Sequence, residues 1–283
     1  MIKPQQWPHR QSWRKMKKRQ TPDAKALLQS QEAWCMNACS RFANSDSQTW
    51  TLSGRGGLLS ALIIQSRQSL LPVLGEQENI PQPHFLADLF GITIHSLQGR
   101  KKDVEFLETV LEITGLCASQ KIDFDVMCLD RPPSGFLSSG PAELVIRKPQ
   151  PADMDALAEL HAAYEQEEVL PAASTFNPVA SRLNIERIYD QQHILVAELD
   201  GRLVGKINTN AVTFTRYQVG GVYVHPDYRG QGIAIRMAGE FTADLIAQGK
   251  GISLFVKKTN PAARRVYHRI GFGIAGDYRI NYY

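Results

Sequence analysis

The sequence predicts a mixed α/β protein built from two domains. Strand-like and helix-like hydrophobic periodicities alternate along the 283 residues, and a chain of this length fits about two domains. Eight of the twelve residues at 131–142 are Pro, Gly or Ser, which is typical of a linker. We therefore predict a basic lead segment at 1–22, an N-terminal α/β domain at 23–130, a linker at 131–142 and a second domain at 143–283.

In the first half, the periodicity of apolar residues predicts two helices and three strands. The helices are expected at 23–42 and 103–114, and the strands at 49–52, 58–65 and 121–129. The last of these alternates between apolar and polar residues, as a half-buried strand does. This half contains no phosphate-binding loop and no cluster of catalytic residue types.

In the second half, strands and helices follow one another in the order β-α-α-β-β-β-α-β-α-β, with a final short strand. The predicted strands are 143–147, 193–199, 203–214, 217–224, 252–256, 272–275 and 278–283, and the predicted helices are 151–168, 179–189, 231–247 and 261–271. Asp200-Gly201 is a strong two-residue hairpin signal between two of these strands. Asn260-Pro261 supplies an N-cap and a first-turn proline for the last helix, which Gly271 ends.

Composition is that of an ordinary globular protein, with a net charge of +4. No apolar run approaches the ~18 residues of a membrane span, and the N-terminus lacks the apolar centre of a secretory signal. The four cysteines are scattered and complete no zinc-binding pattern. We therefore expect free buried thiols, no metal, no membrane association and a cytoplasmic location.

Positive charge is concentrated before Asp23, where seven Lys and Arg residues precede the first acidic one. Such a segment is either a solvated lead sequence or a weak attractor of nucleic acid. Trp7 and Trp13 alone do not make the aromatic-interleaved surface that single-stranded nucleic acid requires. We favour the solvated segment and expect no nucleic-acid partner.

The most informative local feature is the passage from the strand at 217–224 into the helix at 231–247. Gly230 and Gly232 lie at this junction, where the absence of Cβ atoms lets backbone N–H groups point outward. Such a turn at a helix N-terminus favours a bound phosphate. The alternative, that the two glycines only form a turn, is equally consistent with this segment taken alone.

Two longer motifs resemble those of the GNAT family of acyl-CoA-dependent N-acetyltransferases. Arg229-Gly-Gln-Gly-Ile-Ala234 matches the family's pyrophosphate loop, Arg/Gln-x-x-Gly-x-Gly/Ala. Asn260, Ala263, Tyr267, Gly271 and Phe272 match a second family motif at the usual separation from the first. The resemblance covers the chain from about residue 143 to its end. The first half resembles the N-terminal domain that precedes some bacterial GNAT domains, or a diverged GNAT-like half.

The resemblance implies a fold and a cofactor site for the second domain. The implied fold has a central, mostly antiparallel sheet that splays apart and is flanked by helices. The implied cosubstrate is acetyl-CoA, with its pyrophosphate on the loop amides and its pantetheine arm on free backbone groups of the preceding strand. The predicted cofactor-binding residues are Val222, Val224, Arg229, Gly230, Gln231, Gly232, Ile233, Ala234 and Asn260. Asn260 either caps its helix only or also contacts the cofactor.

The resemblance also suggests catalytic residues. It implies that Tyr267 protonates the departing thiolate, whereas the sequence without the motif would favour a core tyrosine. Glu168 is our choice of base from a loop that also carries Glu165 and Glu167, because it adjoins apolar residues and is expected to turn inward. The alternative for each of the three is a solvated acidic helix end. We expect His225 to be structural.

The sequence thus predicts an acetyl-CoA-dependent N-acetyltransferase in which a primary amine attacks the thioester directly. Its acceptor is an amine of unknown identity, and a homodimer is left open. One alternative is a tandem GNAT-like transferase with another acyl donor, such as an aminoacyl group. A second is a sensor that binds coenzyme A without turnover, and a third is a nucleic-acid-associated protein that uses the basic lead segment.

Overall fold

The computed structural model describes residues 12–42, 44–54, 58–75, 80, 94–171 and 174–283. The chain divides into two compact units, one ending at Ile122 and including Arg279–Tyr283, the other comprising Asp123–Tyr278. The predicted linker at 131–142 lies within the second unit, where Phe136 is buried in the core. The predicted limits of an independent second domain, 143–283, stay a prediction. Residues 1–11, which hold Trp7 and half of the lead segment, lie outside the described residues.

The first unit contains a sheet with the strand order β1-β2-β3-β4-β5. The pair β4/β5 is parallel and the other pairs are antiparallel. Its elements are β1 Arg14–Lys15, α1 Thr21–Ser30, α2 Met36–Arg41, β2 Ser47–Ser53, β3 Leu59–Ser66, β4 Ser69–Leu74, β5 Ser96–Arg100 and α3 Lys101–Ile113. The apolar face of α3 packs on this sheet through Val104, Leu107 and Leu111. The mixed α/β character predicted for this half is confirmed.

Three expectations for the first unit were wrong. The single helix at 23–42 is two helices, because the chain leaves α1 after Ser30 and buries Gln31, whose side-chain amide donates to the Leu74 carbonyl at 3.2 Å. Strands β1, β4 and β5 were not predicted, since strand formation depends on neighbouring strands more than on local sequence. Not all thiols are buried, because Cys117 is exposed.

The second unit contains a sheet in the order β12-β6-β11-β10-β9-β8-β7. The pair β10/β11 is parallel, whereas β6/β11, β9/β10, β8/β9 and β7/β8 are antiparallel. Its elements are β6 Gln120–Leu129, β7 Val145–Arg147, α4 Met154–Tyr164, α5 Pro178–Gln191, β8 Ile194–Leu199, β9 Arg202–Val212, β10 Arg216–Val224, α6 Ile233–Ile246, β11 Gly251–Lys257, α7 Pro261–Ile270 and β12 Gly273–Tyr282. The first residues of β6 and the last of β12 belong to the first unit. The mostly antiparallel sheet was predicted correctly.

Local sequence signals set the turns of this unit. Asp200 and Gly201 adopt φ angles of 50° and 72°, which join β8 to β9 in a two-residue hairpin. The Asn260 side chain accepts a hydrogen bond from the Ala263 amide at 3.0 Å and so caps α7. Gly271 ends α7 with a φ of 108°. These three predictions are confirmed.

Two boundaries in the second unit differ from those predicted. The helix expected at 151–168 begins with a 3-10 turn and ends in a π-helical turn, Glu165–Val169, which replaces the expected loop. The two strands expected at the C-terminus are one strand, β12. Pairing with a neighbouring strand overrides the turn tendency of Gly276-Asp277.

Strands β10 and β11 separate part-way along their length. Their paired residues run from Arg216↔Gly251 to Val219↔Leu254, but β10 continues to Val224. The separation begins where β10 carries a bulge at Gly220 and Gly221, the latter with a φ of 60°. The predicted splay is therefore present, and within the described part of the chain one edge of β10 has no neighbouring strand beyond Val219.

Candidate active site

A cleft of about 620 Å³ opens where β10 and β11 separate. Residues from β10, the end of β11, the glycine loop, the first turn of α6, α7 with its N-cap and the π-helical turn form its walls. They include Glu167, Glu168, Val222, Val224, Arg229, Gly230, Gly232, Ile233, Ala234, Lys257, Asn260 and Tyr267. The structure thus brings together all the predicted site residues except Gln231, which is exposed beside the cleft.

The glycine loop has the geometry of an anion cradle. Gly230 and Gly232 have φ angles of 80° and 82°, and α6 begins at Ile233 with no side chain capping its N-terminus. A Cβ atom at position 230 would meet nothing within 4 Å, so the space over the loop is open. The first N–H groups of α6 are therefore directed toward the cleft with the positive end of the helix dipole behind them.

Arg229 does not extend into the cradle. Its Nε donates to the Val224 carbonyl at 3.0 Å, and its guanidinium pairs with Glu167 at 2.7 Å and lies 5.3 Å from the Tyr223 ring centroid. The ion pair with Glu167 raises the pKa of Arg229 and lowers that of Glu167. Arg229 therefore joins the loop to β10 and to the π-helical turn, and one lone pair of the Val224 carbonyl is already in use.

The three glutamates of the π-helical turn have three different environments. Glu167 pairs with Arg229. Glu168 turns into the cleft, where its Oε1 accepts from the Asn260 amide at 3.1 Å and its Oε2 lies 3.7 Å from the Lys257 ammonium. Glu165 lies 3.1 Å from the His161 Nε2 and also accepts from the Asn184 amide at 2.9 Å. The irregular turn gives side chains that are adjacent in sequence separate partners.

Tyr267 on α7 is both a core residue and a wall of the cleft. Only 8% of it is exposed, and its ring meets that of Phe272 edge to face at 5.7 Å. Burial is the main cause of a strongly raised pKa for its hydroxyl. Tyr267 therefore keeps its proton throughout the physiological pH range.

The residues that form this site lie mostly in a stretch that is similar to a known protein family. Residues 154–272 match the model of the Acetyltransferase (GNAT) family. We call this matched stretch the GNAT domain. It holds the glycine loop, the splay of the sheet and Tyr267 in one continuous segment.

Relatives of the GNAT domain are curated acetyltransferases. Proteins so named from Sodalis glossinidius and Pectobacterium atrosepticum are 36% and 34% identical to the chain over 95 residues, which is 32% of this chain and 65% of each relative. The match thus spans slightly less than two thirds of the length of these relatives.

Solved structures show that the similarity in fold extends beyond the GNAT domain. A GCN5-related N-acetyltransferase from Sphaerobacter thermophilus aligns with a TM-score of 0.58 at 20% identity, covering 97% of this chain and 95% of that one. A tandem GNAT protein from the clavulanic acid biosynthesis pathway aligns with a TM-score of 0.55 at 13% identity, covering 95% and 97%. Because these alignments include the first unit, they support the GNAT-like half predicted there.

Among the described residues, no group of three or more His, Cys, Asp or Glu side chains is arranged to hold a metal ion. Within the same part of the chain, no helix has both the length and the hydrophobicity of a membrane span.

Lys206 of the GNAT domain is a residue that sequence analysis missed. Its side chain on β9 is fully buried; its Nζ donates to the Gly221 carbonyl at 2.8 Å and to the Asn208 side chain at 3.3 Å, and lies 4.4 Å from the Tyr164 ring centroid. Burial lowers the pKa of Lys206 to about 7. The sequence signal that was available is a lysine between the apolar residues Val204 and Ile207 of a predicted strand. Lys206 stabilises the bulge of β10 through its hydrogen bond to the Gly221 carbonyl.

We expect the stability of the protein to rise with pH between 7 and 9 because of Lys206. Its pKa is lower in the folded than in the unfolded chain, so the unfolded chain binds more protons from about pH 7 upward and stability increases with pH. Lys206→Met should remove this rise, which amounts to a few kcal/mol in the free energy of unfolding between pH 7 and 9. Lys148→Met, at an exposed position, should leave the rise unchanged. The measurement is the Tm as a function of pH. Parallel Tm curves for wild type and Lys206→Met would contradict this account.

Proposed function

We propose that the protein is an acetyl-CoA-dependent N-acetyltransferase that transfers an acetyl group to a primary amine. The observation that carries the proposal is that the glycine loop, the unpaired edge of β10 and the Tyr267 side chain line one cleft. Each alone has a structural explanation. Together they match the succession of phosphate, amide-bearing arm and thioester along acetyl-CoA.

The residues of the cleft fit coenzyme A along its length. The amides at the start of α6 would hold the pyrophosphate, with the open space over Gly230 allowing close approach. Backbone groups of Val222 and Val224 on the unpaired edge would pair with the amides of the pantetheine arm, as an added strand does. Asn260 is committed to capping α7 through its Oδ1 and to Glu168 through its Nδ2. We therefore expect any contact of Asn260 with the cofactor to replace the contact with Glu168.

Acetyl-CoA supplies an activated thioester, and the side chains of the cleft move the protons. As the amine attacks, a C–N bond forms and the C–S bond breaks. In our proposal Tyr267 gives its proton to the departing sulfur, and the proton lost by the amine passes to Glu168 directly or through water. Glu168 has the placement for this role in the cleft, but its contacts with Lys257 and Asn260 must loosen for it to accept a proton.

The proposal is tested by the release of free thiol from acetyl-CoA over a panel of primary amines. We expect release that depends on an amine, accompanied by an equal amount of N-acetylated product. Binding of acetyl-CoA with no thiol release for any amine would overturn the enzyme assignment and favour a coenzyme A sensor. Release from a different acyl-CoA, with none from acetyl-CoA, would favour the alternative of another acyl donor.

A further inference from the structure

A second cavity of about 220 Å³ lies within the GNAT domain on the other side of the β10 bulge. Residues of α4, α5, β9 and the bulge form its walls. They include His161, Tyr164, Glu165, Asn184, Arg187, Gln192, Asn208, Thr209, Asn210 and Gly221. The proposed coenzyme A site does not include this cavity.

Adjacent residues of β10 and of the π-helical turn separate the cavity from the cleft. Gly221 lines the cavity and Val222, the next residue of β10, lines the cleft. Tyr164 lines the cavity, and its ring centroid lies 6.5 Å from that of Tyr223, which lines the cleft. Val169 and Glu168 are neighbours on the π-helical turn. Val169 lines the cavity and Glu168 lines the cleft.

Two opposite charges lie on the wall of the cavity and are joined by one amide. The Asn184 side chain donates to Glu165 at 2.9 Å and accepts from the Arg187 guanidinium at 2.9 Å. The Glu165 side chain is only 18% exposed, whereas Arg187 lies at the exposed rim. A carboxylate is therefore held inside the cavity and a guanidinium at its entrance, with the Asn184 amide between them.

His161 adds an unsatisfied polar group to this wall. Its side chain is only 2% exposed, and within the described part of the chain its Nδ1 has no hydrogen-bond partner. Burial and the nearby Lys206 lower the pKa of His161 to about 4, so the imidazole is neutral and available as a hydrogen-bonding group. A buried polar atom without a partner is costly unless a ligand or water satisfies it.

We propose that this cavity binds the acceptor, and that the acceptor is a small amino acid whose carboxylate pairs with Arg187 and whose ammonium group pairs with Glu165 before it passes to Glu168 and the thioester in the cleft. The inference rests on the proposed function, since it names the substrate of the same reaction. The side-chain amides of Gln192 and Asn210 would bind a polar side chain. The volume lies below the roughly 300–1,000 Å³ of pockets for drug-sized ligands, which suits a single amino acid.

Charge balance favours an amino acid over an amine without a carboxylate. Glu165 is the acidic residue on the cavity wall, while Arg187 lies at the rim. An ammonium group alone would be attracted by Glu165 but repelled by Arg187. A carboxylate at the rim compensates Arg187 and forms charge-assisted hydrogen bonds with it.

The test is direct binding of free amino acids by isothermal titration calorimetry without acetyl-CoA, together with thiol release in its presence. The probes are the twenty standard amino acids, ethanolamine, glucosamine and a glycine tripeptide. We expect the best amino acid to exceed ethanolamine in kcat/KM by about tenfold or more, the effect of one charge-assisted contact. Glu165→Gln should weaken binding of that amino acid about tenfold and leave the KM for acetyl-CoA within twofold.

A matched pair of arginines on α5 separates binding from structure. Arg187→Gln should weaken amino-acid binding about tenfold but not ethanolamine binding, whereas Arg182→Gln should change neither. Arg182 lies on the same helix but pairs with Glu186 and Asp155 away from the cavity. Arg187 is exposed, so its replacement is expected to leave the Tm unchanged.

The outcomes distinguish this proposal from the function on which it rests. Unchanged amino-acid binding in both Glu165→Gln and Arg187→Gln, or acetylation of the tripeptide in preference to every amino acid, would overturn the amino-acid site while leaving the acetyltransferase intact. Loss of thiol release for all amines would instead overturn the enzyme assignment. Calorimetry would then still decide whether amino acids occupy the cavity.

Discussion

A Gly230→Asp variant is expected to bind acetyl-CoA roughly 100-fold more weakly than the wild type. The new carboxylate would lie at the loop whose open amides are proposed to hold the pyrophosphate. Two like charges ~5 Å apart at an effective dielectric constant of about 20 repel by about 3 kcal/mol, which is about a 100-fold change in Kd. Equilibrium titration with acetyl-CoA measures the change.

Gly249→Asp is the matched control for this variant. Gly249 has a φ of 84° against 80° for Gly230, and a Cβ atom at either position meets nothing within 4 Å. Both substitutions therefore carry the same backbone strain, which aspartate tolerates better than most residues. Gly249 follows the C-terminal end of α6, so Gly249→Asp should leave the Kd within twofold. Equal effects of the two variants would show that the loop does not bind the pyrophosphate.

Tyr267→Phe is expected to lower kcat about 10²-fold or more while the Kd for acetyl-CoA stays within threefold. The substitution removes only the hydroxyl, and the raised pKa of Tyr267 keeps that hydroxyl protonated for the transfer to sulfur. General acid catalysis contributes ~10²–10⁴-fold in rate. The ring and its contact with Phe272 remain. Single-turnover thiol release and an equilibrium titration report the two quantities separately.

Tyr217→Phe serves as the control, because Tyr217 is also buried and its hydroxyl donates to Gln248 at 2.9 Å, outside the cleft. It should cost about 1 kcal/mol of stability, the contribution of one hydrogen bond, without altering kcat. A kcat within threefold of wild type for Tyr267→Phe would remove Tyr267 from the mechanism and leave it as a core residue.

Much of the GNAT domain was predictable because its signals are local. The hairpin at Asp200-Gly201, the cap at Asn260 and the left-handed Gly271 each follow from the conformational preference of one or two residues. The glycine loop was predicted in the same way from Gly230 and Gly232. The second motif identified Tyr267, which lines the same cleft as this loop. The domain's first strands and helices were correct to within a few residues for the same reason.

The features that escaped prediction arise from contacts distant in sequence. The π-helical turn separates Glu165, Glu167 and Glu168, and their partners include residues of α5, the glycine loop and β11, which are distant in sequence. Lys206 and the bulge at Gly221 belong to different strands, and their hydrogen bond forms only when the two strands pair. The break after α1 depends on a carbonyl of β4. Such contacts are set by the assembled fold and not by local propensity.

The most direct test of the account is a crystal structure with coenzyme A bound. We expect the pyrophosphate on the amides at the start of α6, the pantetheine arm along Val222 and Val224, and the sulfur within about 3.5 Å of the Tyr267 hydroxyl. A sulfur atom beyond hydrogen-bonding reach of Tyr267, or a cofactor bound outside the cleft between β10 and β11, would contradict the proposed mechanism.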